Sequence, residues 1–197
     1  MRSIRTWTST PPRWTNGSTI TGTSCPDWGT RGTGCTGPAD DRVARPSWDE
    51  YFMNLARLAA TRSTCLRRQV GAVIVKDRMV LSTGYNDTPR GLPNCGDGGC
   101  ERCRSGAAAG SALDTCLCLH AEQNAIIQAA YHGVSIAGAT IYCTHQPCLT
   151  CAKMIVNAGL ARVVFASPYP DPLAEQLLRD ATIDLARFPD ETVLQRG

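Results

Sequence analysis

Two short segments, His120-Ala121-Glu122 and Pro147-Cys148-Leu149-Thr150-Cys151, constrain this chain more than any others. They offer one imidazole and two thiols, donors that suit a zinc ion with one position left open. Cys148 and Cys151 are three apart, so at a helix start both side chains lie on one face. Pro147 precedes that start, and the positive end of the helix dipole there favours thiolates. His120 sits at or just before the start of a second helix. The three donors converge if these helices lie side by side with their N-termini at one edge of a sheet.

The surrounding pattern predicts such a sheet. Ser47-Trp48-Asp49-Glu50 is a capping box, and Trp48, Phe52, Leu55 and Ala59 follow at helical spacing, with an end near Thr61. Val70 to Lys76 is a β-branched apolar run, Lys76-Asp77-Arg78 a turn, and Met79 to Tyr85 a second strand, together a hairpin. Residues 86–118 carry many Gly, Pro and Cys and read as a long loop, a kind that is usually functional or held by a metal. Then follow a helix from about Ala121 to Tyr131, a strand over Ala139 to Thr144, and a helix over Cys148 to Ala158 closed by Gly159. Arg162 to Ala166 is a strand, Asp171 to Arg179 a helix, and Thr182 to Arg187 a last strand. A hairpin followed by alternating helices and strands predicts an α/β layered fold.

The chain has 197 residues, enough for one domain, placed here at 47–197. Residues 1–46 are crowded with Thr, Gly and Pro and lack periodicity, so they are expected to be a disordered extension. A start of translation near Val43 is a further expectation, tested by the intact mass of the native protein. A net charge of +3 is too small and too evenly spread to argue for a nucleic-acid polymer as partner. No apolar run approaches the ~18 residues of a membrane span. Eleven cysteines without a signal peptide read as metal ligands or reduced thiols, which places the protein in the cytoplasm.

The donor set suggests a division of labour. Two thiolates neutralise the charge of Zn²⁺, so the ion acidifies water less than an all-imidazole site would. Glu122, two residues from His120, is placed to move the protons. The bland alternative is a structural zinc knuckle or a metal-free C-x-x-C, although a structural site more usually supplies four protein ligands. His132 and His145 read as surface or packing residues. The H-x-E … P-C-x-x-C pattern as a whole resembles that of zinc-dependent nucleobase deaminases.

Further motifs narrow the resemblance. Trp48-Asp49-Glu50-Tyr51-Phe52-Met53, Arg62-Ser63-Thr64-Cys65, Val70 to Val75, Gly84-Tyr85-Asn86-Asp87-Thr88-Pro89, His120 to Ile126, Pro147 to Lys153 and Asn157-Ala158-Gly159 look like the deoxycytidylate (dCMP) deaminase family over roughly residues 47–187. The resemblance implies a three-layer α/β/α cytidine-deaminase-like fold with a central mixed five-stranded sheet. It implies conversion of dCMP to dUMP and ammonia, a hexamer, activation by dCTP, inhibition by dTTP, and Mg²⁺ with the triphosphate. It places Asn86 on the deoxyribose 3′-hydroxyl, the alternative being a turn residue. Arg67 becomes the candidate for the 5′-phosphate, the alternative being a solvated side chain beside Arg68. Tyr169 lies near base and phosphate, or simply packs. Gly84, Asp87 and Arg90 fall in a segment assigned to the effector nucleotide, or to an ordinary surface loop.

Some members of that family hold a structural zinc, whose positions match Cys65, Cys95 and Cys118. Cys103 is the chosen fourth ligand over Cys100 and Cys116, and reduced free thiols are the alternative. Cys25 and Cys35 are expected to bind nothing. Rival functions are deamination of another cytosine nucleoside, nucleotide or base, a tRNA or DNA deaminase, and a non-catalytic zinc or nucleotide-binding module.

Overall fold

The computed structural model describes residues 45–108 and 115–189. The expected disorder of residues 1–46, the start near Val43 and the reading of Cys25 and Cys35 fall almost wholly outside these residues. Helix α1 spans Trp48–Ala60, and the Ser47 hydroxyl accepts from the Glu50 N–H at 3.2 Å, as the capping box predicts. Strands β1 (Gly71–Lys76) and β2 (Met79–Tyr85) form the hairpin, turned by Asp77 and Arg78 at φ 51° and 65°. Two positive φ values in a two-residue turn match the right-handed twist of the flanking strands. After β2 come the short helix α2 (Glu101–Arg104), α3 (Ala121–Tyr131), β3 (Thr140–His145), α4 (Leu149–Asn157), β4 (Arg162–Ser167), α5 (Pro172–Asp180) and β5 (Asp184–Arg187).

The sheet order is β2-β1-β3-β4-β5. β1 is antiparallel to both β2 and β3, whereas β3, β4 and β5 run parallel, so the sheet is mixed. Side chains alternate across it. Ala72, Ile74, Ile141, Cys143, Val163 and Phe165 pack on one face with α3, α4 and α5. Val73, Val75, Tyr142, Val164 and Ala166 pack on the other with Phe52, Met53 and Ala56 of α1. These are the three layers the resemblance implied. Burial on both faces explains why the inner strands read as continuous apolar runs.

Two glycines let the helices lie close to the sheet. A Cβ at Gly71 would fall 2.0 Å from the Ala56 carbonyl of α1, and one at Gly84 would fall 2.2 Å from the Ala121 carbonyl of α3. Gly159, at φ 72°, ends α4 as expected.

Two expectations need correction. The segment 86–118 carries a 3-10 turn at Cys95–Asp97 and helix α2, elements too short to show periodicity. The last strand begins at Asp184 rather than Thr182, because Thr182 (φ 56°) belongs to the turn that closes α5. Among the described residues, no helix is long and apolar enough to cross a membrane.

Candidate metal centre and active site

His120 is the N-cap of α3 and Cys148 the N-cap of α4, with Cys151 in the first turn of that helix. Because both helices cover the same face of the sheet, their starts meet. His120 Nδ1 lies 3.5 Å from Cys148 Sγ and 3.3 Å from Cys151 Sγ, and all three donor atoms lie within 4.8 Å of one another. Bonds of about 2.3 Å to sulfur and 2.05 Å to nitrogen at tetrahedral angles require an S···N separation of about 3.5 Å. The three atoms therefore form one face of a tetrahedron of zinc size, with a donor set suited to zinc. Cys151 is buried, Cys148 half-buried and His120 exposed, so the face opens to solvent.

Each ligand stands on a braced helix start. The His120 N–H donates to Gln123 Oε1 at 2.8 Å. α3 is tied to β2 by Asn124 Nδ2, which donates to the Tyr85 carbonyl at 2.8 Å, and by the Ser82 hydroxyl, which donates to the Ala125 carbonyl at 2.9 Å. The start of α4 is held by Asp171, which accepts from Leu149 N–H at 2.8 Å and from Ala174 N–H at 3.1 Å. One carboxylate thus caps two helices. Gln146 accepts from Tyr169 N–H at 3.3 Å and donates to Glu175 at 2.9 Å, which joins the approach to Cys148 to α5. Sequence reading missed this second role of Asp171. The Asp-Pro at the start of α5 signals its own cap, but nothing local signals a cap shared with α4.

Glu122 is the second residue of α3 and only 4% exposed. Burial raises its carboxyl above the ordinary carboxylate range, against the lowering effect of its own backbone N–H, the His120 charge and the Cys151 thiol. A carboxyl so raised holds and releases a proton nearer neutrality. Hydrogen bonding from Cys151 and His120 outweighs burial and brings the Cys148 thiol down to about 4. The contact with Cys148 raises His120. The cluster is one electrostatic unit, in which thiolate, imidazole and carboxyl influence one another directly.

The other sequence-predicted residues surround this centre less uniformly. Asn86 is buried. Its Oδ1 accepts from Val70 N–H at 2.7 Å and its Nδ2 donates to the Arg68 carbonyl at 2.8 Å, so it builds the turn and keeps one amide hydrogen. The Arg67 guanidinium reaches the Ala107 carbonyl and lies 3.4 Å from that of Ala108. Tyr169 is half-buried on the Gln146 side. Asp87 accepts from the Thr64 hydroxyl at 2.7 Å and from Thr88 N–H at 2.8 Å, while Arg90 stacks over Tyr131 at 5.2 Å. Gly84 lies in β2 under α3, where a Cβ would fall on the Ala121 carbonyl.

A second sulfur cluster lies ahead of α3. The Sγ atoms of Cys65, Cys95, Cys103 and Cys118 all lie within 4.8 Å of one another. Leu119 N–H donates to the Asp87 carbonyl at 2.8 Å, so the chain leaving Cys118 is pinned before it reaches His120.

Residues 46–167 match the family described as the cytidine and deoxycytidylate deaminase zinc-binding region. The deoxycytidylate deaminase of Saccharomyces cerevisiae is 50% identical over 147 residues, which are 74% of this chain and 46% of that protein. The chain thus spans about half the length of that relative. The deoxycytidylate deaminase of Mycobacterium phage D29 is 44% identical over 128 residues, 62% of this chain and 97% of that one. Among solved structures, the dCMP deaminase of cyanophage S-TIM5 in complex with dCMP and dUMP superposes with a TM-score of 0.63 at 34% identity, over 74% of this chain and 99% of that one. A zinc-shaped face of one imidazole and two thiols, with a buried carboxyl beside it and a matched domain around it, means that this chain belongs to the cytidine and deoxycytidylate deaminase family.

Proposed function

We propose that this protein catalyses the zinc-dependent hydrolysis of dCMP to dUMP and ammonia, supplying dUMP for thymidylate synthesis. The observation that carries the proposal is the placement of Glu122, buried beside an open three-donor face of His120, Cys148 and Cys151. The names of the relatives from S. cerevisiae and phage D29 support the choice of substrate.

His120, Cys148 and Cys151 would hold a zinc ion, which would supply a Lewis acid that makes a nearby water more acidic. Glu122 takes a proton from the attacking water as the water oxygen bonds to C4 of the cytosine ring. The carboxyl then delivers the proton to ring N3. It takes the remaining water proton and passes it to the exocyclic nitrogen, and the C4–N bond breaks to release ammonia. The raised pKa of Glu122 suits this double duty, because a carboxylate in its ordinary range returns protons poorly at neutral pH. Burial of the carboxyl also limits proton exchange with bulk water.

Arg67 is proposed to hold the 5′-phosphate, exchanging its loop carbonyls for phosphate oxygens, and Asn86 to use its remaining amide hydrogen on the 3′-hydroxyl. Tyr169 is proposed to flank the base. Asp87 and Arg90 are proposed to border a site for dCTP or dTTP with Mg²⁺, in a cytoplasmic homohexamer. The four thiols of Cys65, Cys95, Cys103 and Cys118 are proposed to hold a structural zinc.

The test is ammonia release from a panel of cytosine bases, nucleosides and nucleotides, with and without dCTP and dTTP. dCMP is expected to be turned over fastest. Release from no cytosine compound by zinc-loaded protein would sink the enzyme reading. Arg67→Ala is expected to raise KM for dCMP far more than for deoxycytidine, and equal effects would remove its phosphate role.

A further inference from the structure

We propose that the cysteine-rich segment holds two metal ions rather than one, in a six-thiolate cluster bridged by the sulfur of Cys118. The inference extends the structural-zinc reading above and rests on it. Four thiols, Cys65, Cys95, Cys103 and Cys118, make one complete tetrahedral set. That set leaves Cys100 and Cys116 over, and neither points away from it. The Sγ atoms of Cys100, Cys116 and Cys118 form a second mutually close group, so Cys118 belongs to both. Cys103 also touches Cys100, sulfur to sulfur. With Cys118 shared, one ion takes Cys65, Cys95, Cys103 and Cys118, and the other takes Cys100, Cys116 and Cys118, with Cys103 beside Cys100. No sulfur of the segment is then left over.

The geometry fits ions better than disulfides. Cys100 and Cys116 are 4.0 Å apart, Sγ to Sγ. A disulfide needs about 2.0 Å, whereas the edge of a tetrahedron with ~2.3 Å zinc–sulfur bonds is about 3.8 Å. Two sulfurs, one from each set, also receive paired backbone donors. The N–H groups of Arg67 and Arg68 point at Cys65 Sγ, and those of Cys103 and Leu117 point at Cys100 Sγ. A neutral thiol is a weak acceptor, so two N–H donors aimed at one sulfur mark a thiolate position. Cys100 has that cradle although the four-thiol set does not use it. Packing adds a further reason. Cys95, Cys100 and Cys118 are buried, and the apolar cluster they form contains only cysteines, with Cys65, Cys103 and Cys116 around them. Among the described residues, no aliphatic or aromatic side chain joins that cluster, so apolar packing alone does not account for how it is held.

The test is native mass spectrometry of the full chain, reduced, stripped and reloaded with zinc under anaerobic conditions. About three zinc ions per chain are expected, one at His120 and two in the segment. Cys148→Ser/Cys151→Ser should lose one ion and Cys100→Ser/Cys116→Ser a different one. A count of two that Cys100→Ser/Cys116→Ser leaves unchanged overturns the shared cluster and keeps the four-thiol zinc. A segment that holds no ion at all overturns both. If the serine variant does not fold, the wild-type chain loaded with cadmium-113 still decides. Two cadmium resonances from the segment, coupled to each other through shared sulfur, are expected. A single resonance, or two uncoupled ones, refutes the proposal.

Discussion

His120, Cys148 and Cys151 stand on helix starts whose following turns are buried in aliphatic core: Ala121, Ala125 and Ala129 on α3, Ala152 and Ile155 on α4. Cys65, Cys95, Cys100, Cys103, Cys116 and Cys118 lie around a segment that shows, among the described residues, two very short helical elements and an apolar cluster of cysteines alone. The donors are similar, but the foundations differ. In the first region the fold brings the ligands together, and an ion adds chemistry. In the second the thiols lie together without such a core, and the proposed ion would add structure. The two meet at Cys118-Leu119-His120, where the chain leaving the sulfur cluster enters a helix fixed by packing.

The largest expected effect tests the chemistry of the first region. Glu122→Gln keeps the shape of the side chain and removes its ability to move protons. It should lower kcat for dCMP by about 10³-fold or more, with zinc content at His120 unchanged. Measuring zinc alongside ammonia release separates the two roles. A variant that loses its zinc with its activity would make Glu122 a structural support of the ligand face.

Next in size is the response to a chelator. Removing metal should raise the rate of proteolytic cleavage within 86–118 by about tenfold or more, while the sheet and α3 to α5 stay protected. Cleavage spread evenly along the chain would end the contrast between the regions, since it would mean that the sheet also depends on metal.

A smaller effect is expected at Asp171, which caps α4 and α5 together. Asp171→Ala should cost about 1–2 kcal/mol of stability and weaken zinc retention at His120 about tenfold, because the start of α4 loses its brace. Metal in the cysteine segment should not change. Equal loss from both places would show that the two regions are coupled more tightly than their separate foundations suggest.

The regions also differ in how far sequence reveals them. The capping box at Ser47, the apolar run of β1 and the helical spacing after His120 each carry a local physical signal, so α1, the hairpin and the helix starts were legible. The convergence of His120 with Cys148 and Cys151 followed from those starts. Residues 86–118 carried their signal in sulfur alone. Spacing could suggest Cys65, Cys95 and Cys118 by resemblance, but the choice among Cys100, Cys103 and Cys116 depends on how α2 turns, and a four-residue helix leaves no periodic trace. The close approach of α3 to β2 at Gly84 likewise leaves no local signal, since only the folded pair shows why a side chain is excluded there.

The smallest expected effect concerns the sheet alone. Asp49 of α1 accepts from the Tyr142 hydroxyl at 2.6 Å and pairs with Arg162 at 3.2 Å, tying the helix to β3 and β4 on the face opposite α3, α4 and α5. Burial pushes this carboxyl up, but the hydrogen bonds from Tyr142 and Arg162 and the Arg162 charge outweigh it and leave it below its ordinary value. A depressed carboxyl binds its proton less readily in the folded chain than in the unfolded one. Its contribution is therefore complete above the unfolded value, near pH 3.9, and is lost as pH falls through the lower folded value. The pair is over a third exposed, so after screening the contribution is about 1 kcal/mol or less. Asp49→Asn should lower stability by that amount at neutral pH and flatten the acid limb of the stability curve, as read by urea unfolding at a series of pH values. Its protease pattern within 86–118 should match that of the unaltered protein. If loosening α1 also opens the cysteine segment, the sheet supports that segment after all, and sulfur and metal are not its only foundation.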